Sequence, residues 1–305
     1  MYWVRVYRMR LIPNNIIKGL VFIFIINLFS CLSVFEEQQN TVNLLPSDTE
    51  LYTWKMIKSE SFNDQQSITM LVPSFYQHYN VMELVTGKYE SINDPAIYLT
   101  VTIAKTSNAD DAYGLFTRER ALLNDTFEIN TVAAYSKNKS IAYSDNAVVI
   151  VQTNDIDFIN TQKTTIGIIL DKVRLNQQFP HAMNPVTNLI KESSIVIYNE
   201  GIPELPDIKR IVVGNKTIDS SEISCFYKKY FSSIDAGNSF NLLIKNDSSL
   251  MIVESSKVKI AFKKYGDSYC YVAHSNEWIF GCKDIKDYAA GKKVIAILYR
   301  ELVAQ

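Results

Sequence analysis

Short runs of β-branched and aromatic residues, closed by turn formers and broken into groups by helix patterns, constrain the fold of this chain more than any other feature. Residues 97–105 (IYLTVTIAK) alternate and are rich in β-branched side chains, which predicts a strand. Ser107-Asn108 then offers a helix cap, and Asp110 and Asp111 fall in the first turn, where carboxylates suit the helix dipole. The helix is expected over 110–123. Gly114 inside it costs about 1 kcal/mol relative to Ala, so a ring or another backbone is expected close by.

Further strands are predicted at 131–136, 140–144 and 147–152, the last two as a hairpin turning at Asp145-Asn146. Residues 161–173 read as a helix, because Ile166, Ile169, Leu170 and Val173 stand at i, i+3, i+4 and i+7. Pro180, Pro185, Pro203 and Pro206 mark a middle section with a short strand at 194–198. Residues 220–233 read as helical. Strands recur at 240–244, 250–253, 257–262, 269–274 and 278–282, and a last helix at 288–303 points Ile295, Leu298 and Leu302 inward. The class predicted is α+β, with antiparallel sheets and flanking helices. A shift of 129 residues lays 140–152 on 269–281, Asp155-Ile156 on Asp284-Ile285, Lys163 on Lys292, and Ile166 on Ile295. That match is compatible with two related halves, 45–180 and 181–305, and also with chance.

The N-terminus speaks to location. Residues 1–19 are basic and polar, Leu20 to Phe29 form a hydrophobic run interrupted only by Asn27, and Ser30-Cys31 precede an acidic, polar stretch. This is the layout of an export signal over 1–30, and the run is short for a transmembrane helix. Leu28-Phe29-Ser30-Cys31 resembles the lipobox of bacterial lipoproteins, with Phe29 as a departure. The resemblance implies acylation at Cys31, a tether over 31–44 and a membrane-held protein of the cell envelope. A signal anchor running to Phe35 and a cleaved signal with Cys31 incidental remain open, as does Met9 as the start.

The chain has 31 Lys and Arg against 32 Asp and Glu. Four of the bases and none of the acids lie in the first 30 residues, so the remainder is acidic and carries no basic stripe for phosphate. No nucleic-acid partner is expected. Beyond Cys31 stand Cys225, Cys270 and Cys282, an odd number. A hairpin centred on Asn276 would set Cys270 opposite Cys282, which makes them a candidate disulfide; two buried apolar thiols are the alternative. There is no CxxC, and His78, His181 and His274 have no ligand spacing, so no metal or cofactor is expected.

The most distinctive string is Asp110-Asp111-Ala112-Tyr113-Gly114-Leu115-Phe116. With Leu45-Pro46, Trp54 and the 81–87 segment, it is similar to a family of exported bacterial proteins that carry a DAYG-aromatic signature. Lys88-Tyr89 stands where that family has a small pair. The resemblance covers roughly 45–200. It implies bacterial export and an α+β fold, and no assigned activity comes with it. Tyr113, Arg118 and Arg120 are the candidate ligand surface, for an anion or a sugar; a solvated helix face is the plainer reading. No GxSxG, HExxH, P-loop or GxGxxG occurs, and no catalytic residue is assigned. The leading expectation is a non-enzymatic binding or interaction module. A hydrolase or carbohydrate-active enzyme and an envelope assembly factor are the alternatives.

Overall fold

The computed structural model describes residues 41–303, apart from 125, 127, 130–131, 156–157, 174–188 and 255–257. The export signal, Cys31, most of the tether, His181, Pro180 and Pro185, and the 180/181 boundary lie outside the described residues. From Leu44 onward the chain forms one compact unit.

Two seven-stranded antiparallel sheets build it, with helices against them, so the fold is α+β. The first sheet holds β1 (Trp54–Phe62), β2 (Val81–Ser91), β3 (Tyr98–Thr106), β4 (Glu128–Ile129), β5 (Ala133–Tyr135), β6 (Lys139–Ser144) and β7 (Ala147–Thr153), in the order 1-2-3-7-6-5-4. The second holds β8 (Val196–Tyr198), β9 (Ile211–Ile218), β10 (Ser221–Lys229), β11 (Met251–Glu254), β12 (Lys259–Tyr265), β13 (Ser268–Ser275) and β14 (Trp278–Ile285), in the order 8-9-10-14-13-12-11. Strand for strand, the two orders are the same.

The helices repeat as well. One follows the third strand of each half and one follows the seventh. Between β1 and β2 the first half carries an extra short helix, α1 (Gln65–Leu71). Helices α2 (Ala109–Ala121) and α4 (Ser233–Asn246) follow the third strands. Helices α3 (Ile159–Lys172) and α5 (Tyr288–Leu302) follow the seventh. The 129-residue shift carries Lys139, which opens β6, onto Ser268, which opens β13. It also carries Ile159, which opens α3, onto Tyr288, which opens α5. The halves are therefore similar in topology.

The second sheet is covered on both faces. Helix α4 packs Ala236, Phe240 and Leu243 on Phe226, Val272 and Ile279. Helix α5 packs Val294, Ile295, Leu298 and Leu302 on the other face, in one buried cluster with Cys225, Tyr271, Phe280 and Cys282. That cluster continues into the first half through Ala112, Tyr113 and Phe116 of α2 and Leu84, Ala104, Ile141 and Val148 of the first sheet. A core shared in this way binds the halves by burial of apolar surface.

Several expectations hold locally. Asp145 takes φ 47° in the β6–β7 turn, the left-handed conformation that an Asp-Asn pair tolerates. A Cβ on Gly114 would stand 2.8 Å from the Tyr79 ring, and one on Gly291 2.1 Å from Tyr271, so rings do lie against both glycines.

Three expectations are corrected. Residues 220–233 are mostly strand β10 rather than helix: Ile223, Cys225 and Tyr227 alternate toward the α5 face with a period of two. Residues 240–244 belong to helix α4, because Ser232 caps it and Ala236, Phe240 and Leu243 follow the helical period. The Cys270–Cys282 pairing fails on register. The β13–β14 turn has two residues, with Ser275 facing Trp278 and Asn276 at φ 50°. Tyr271 therefore faces Cys282, and a bulge separates Tyr269 from Tyr271. A slip of one residue turns a side chain to the other face. Cys270 lies among the α4-side residues and Cys282 among the α5-side residues, and both thiols are free.

Candidate functional site

Helix α2, which carries the distinctive motif, starts conventionally. Asn108 is extended, and its side chain accepts from the Asp111 N–H. The body of the helix is unusual for a charged sequence: nine of its thirteen residues are buried, Asp111, Glu119 and Arg120 among them. The first sheet covers one side of it. Strand β8 and the 199–210 segment cover the other.

Gly114 makes that cover possible. The Tyr79 ring lies against it, and the Tyr79 hydroxyl donates to the Ile197 carbonyl at 2.6 Å. Thr117 Oγ1 donates to the Gly114 carbonyl and accepts from the Ile197 N–H at 3.0 Å. The helix is thus hydrogen-bonded directly to the backbone of β8.

Asp111 is fully buried and saturated. Its Oδ1 accepts from Asn199 Nδ2 and Arg210 Nη2, both at 2.9 Å. Its Oδ2 accepts from Asn80 Nδ2 and Asn108 Nδ2 at 2.8 Å and from Ser107 Oγ at 3.2 Å. Burial alone would raise its pKa, but the donors, Asn80 and Arg210 foremost, hold the carboxyl below the usual range. Glu119 accepts from the Tyr76 hydroxyl at 2.7 Å and pairs with Lys139 at 2.5 Å. Burial and the adjacent Glu119 charge push the Tyr76 phenol well up.

The three residues expected to form a ligand surface do not form one. Tyr113 is fully buried, with its ring edge-on to Tyr143 at 4.9 Å. Arg120 is buried and donates to the carbonyls of Ile195 at 2.7 Å and Glu192 at 3.2 Å. Arg118 is half-buried, stacked between Tyr198 at 4.2 Å and Phe75 at 5.1 Å, and paired with Glu200 at 3.0 Å. All three serve the seam between the halves. Sequence spacing puts them on one helix, but does not show that 192–210 folds over it.

Two open features stand out among the described residues. A cleft of about 220 Å³ is lined by Lys229, Asn276, Glu277, Trp278, Glu301, Leu302 and Val303. Lys229 lies over the Trp278 ring at 5.2 Å and 3.8 Å from Glu277, and Glu301 pairs with Lys216 at 2.9 Å. Its charges are engaged with one another, so it offers no nucleophile beside a base. Among the described residues no group of three or more His, Cys, Asp and Glu gathers as metal ligands would.

The second feature is the free edge of the second sheet. Strand β11 pairs with β12 and has no neighbour on its other side among the described residues. It exposes Met251 (51%), Ile252 (47%) and Val253 (37%), an unbroken apolar run. Tyr265 faces Ser268 across a two-residue turn, so odd-numbered β12 residues hydrogen-bond to β13 and even-numbered ones to β11. Met251 faces Phe262 and Val253 faces Ile260, so these two take the bonds to β12. Ile252 and Glu254 are left with backbone N–H and C=O directed outward. Lys259 faces Glu254 from β12, exposed Lys264 stands further along β12, and exposed Lys245 lies in the last turn of α4. The sequence predicts a strand here, but nothing in it tells an edge strand from an interior one.

The other edges are managed differently. Strand β1 is long but carries Lys55, Lys58 and Glu60 and a bulge between Met56 and Lys58. Strand β4 has two residues, and β8 is covered by α2. Charges, bulges, shortness and cover are the usual ways to blunt an edge, and among the described residues β11 has its shortness and one charge, Glu254 at its end. Comparison with known proteins finds no matching family model, no matching curated protein and no matching solved structure.

Proposed function

We propose that this protein is an exported, membrane-held binding module, acylated at Cys31, that adds an extended segment of a partner to the β11 edge. The observation that carries the reading is the pairing of outward backbone groups at Ile252 and Glu254 with the exposed side chains of Met251, Ile252 and Val253. Backbone groups supply affinity in such an addition, and alternate side chains supply selectivity. Lysines at positions 245, 259 and 264 favour a segment whose apolar core has acidic flanks.

The probe is a synthetic nonapeptide with an alternating Val/Thr core and glutamates at both ends, titrated by fluorescence anisotropy. Ile252→Pro removes an outward N–H and no ladder bond, so the fold tolerates it. The expected result is saturable binding that weakens about tenfold or more in Ile252→Pro. Equal affinity for both proteins, or no binding to the native chain, would remove β11 as the docking edge. The anchor is tested separately by intact mass. A native chain starting at Cys31 with a diacylglyceryl group, lost in Cys31→Ala, supports it, and a mass without lipid overturns it.

A further inference from the structure

The register excludes one cysteine pair and brings together another. Strands β10 and β14 are adjacent, and Cys225 and Cys282 are direct partners, with no irregularity between them. Which kind of pair they form is set by the turns. Ile218 faces Ser221 across the two-residue turn Asp219-Ser220, both residues at positive φ, so odd-numbered β10 residues hydrogen-bond to β9. Ser275 faces Trp278 across a two-residue turn, so even-numbered β14 residues hydrogen-bond to β13. Cys225 and Cys282 thus both direct their backbone groups away from each other. The Tyr230 N–H donating to the Glu277 carbonyl at 2.8 Å lies on the same ladder and agrees, since it bonds an even β10 position to an odd β14 position.

A non-hydrogen-bonded antiparallel pair has its Cα atoms about 4.5 Å apart and its side chains at closest approach. That separation falls inside the range a disulfide spans, about 4.4–6.8 Å. Both side chains belong to the α5-side core, whereas Cys270 lies on the opposite face.

We propose that Cys225 and Cys282 are a disulfide site, closed as the second sheet forms in the presence of a disulfide oxidant, and that Cys270 stays a thiol. The oxidant is a small-molecule or protein disulfide. One cysteine thiolate attacks it, breaking its S–S bond, forming a mixed disulfide and releasing one thiolate. The second cysteine thiolate attacks the protein-side sulfur and releases the other. The two cysteine protons pass to solvent or to the released thiolates, and the two electrons reside in the reduced oxidant. The step belongs to folding, because both thiols are fully buried in the finished sheet and burial pushes Cys225 up to about 12. It goes beyond the edge-binding proposal and does not depend on it.

The full chain in detergent is unfolded with reductant, refolded in a glutathione redox buffer, quenched with acid and alkylated with N-ethylmaleimide under denaturing conditions. An adduct on Cys270 and none on Cys225 or Cys282, with a tryptic species joining the Cys225 and Cys282 peptides, is expected whether or not Cys31 is acylated. Dithiothreitol should then lower the thermal midpoint by about 5–10 °C in the native chain and leave Cys225→Ala unmoved. Adducts on both Cys225 and Cys282 of protein whose circular dichroism is native, or a joined peptide containing Cys270, would overturn the proposal.

Discussion

Helices α2 and α4 occupy equivalent places in the two halves and open with the same chemistry. Asn108 and Ser232 cap them by accepting from the N–H three residues on, and in both that residue is Asp, followed by Ala and, four residues later, Phe. The shared residues are Asp111, Ala112 and Phe116 in one helix and Asp235, Ala236 and Phe240 in the other. The outcomes diverge. Asp111 is fully buried with five donors, whereas Asp235 is exposed and its carboxylate accepts from the Ser232 hydroxyl at 2.8 Å. Helix α4 is amphipathic, burying Ala236, Phe240 and Leu243 and exposing Ile234 and Leu242. Helix α2 is covered on both sides. One scaffold thus serves two uses, an outer helix in the second half and a seam in the first. The polar residues on α2 mark the seam rather than solvent.

The largest break in the comparison should come at the aspartates. Asp111→Ala leaves Asn80, Asn108, Asn199 and Arg210 without their acceptor, and loss of one partner from a buried charged network costs about 3–5 kcal/mol. Thermal denaturation should show a fall of about 10 °C. Asp235→Ala should lose about 0.5–1 kcal/mol, a first-turn carboxylate's contribution. Equal losses would erase the distinction between seam and outer helix. Acid probes the same site a second way. The Asp111 pKa is lowered in the folded state, so its contribution is present above the unfolded value near 4 and is lost as pH falls through the lower folded value. Asp111→Asn should therefore show a shallower loss of stability below pH about 4 than the native chain. An unchanged acid limb would count against the carboxylate's role.

The glycines sharpen the comparison by sign. Gly114→Ala drives a methyl to 2.8 Å from the Tyr79 ring and should cost about 1–3 kcal/mol in urea unfolding. Gly237 lies one position earlier in α4's frame, and a Cβ there would stand 3.5 Å from His274, an ordinary contact. Gly237→Ala should stabilise by about 0.5–1 kcal/mol through helix propensity. The smallest contrast lies at the paired positions 118 and 242. Arg118→Leu removes stacking on Tyr198 and Phe75 and the Glu200 ion pair, at a cost of about 1–2 kcal/mol. Leu242→Arg, on exposed α4 surface, should change stability by no more than about 0.5 kcal/mol.

What is legible in the sequence is local. The β3 strand, the α2 cap and the α5 helix each carry their period and cap within about a dozen residues. The repeat is only half visible. The cap-to-cap spacing between Asn108 and Ser232 is 124 residues, whereas the hairpins and last helices are 129 apart, because the second half has five more residues between the helix cap and the start of the hairpin. A gap-free shift sees one frame or the other, so the shift that aligns the hairpins misses the Asp-Ala-Phe correspondence. The seam is not legible: Asn199 and Arg210 reach Asp111 across 88 and 99 residues. The cysteine pairing turns on a single residue of turn length.

The edge proposal depends most directly on the state of the β11 amides. Hydrogen exchange by NMR on the full chain, with and without the nonapeptide probe, would report it. The outward N–H groups of Ile252 and Glu254 should exchange rapidly alone and become protected when the peptide is bound, while Met251 and Val253, bonded to β12, change little. Protection that appears elsewhere and leaves Ile252 and Glu254 exchanging freely would contradict strand addition at β11.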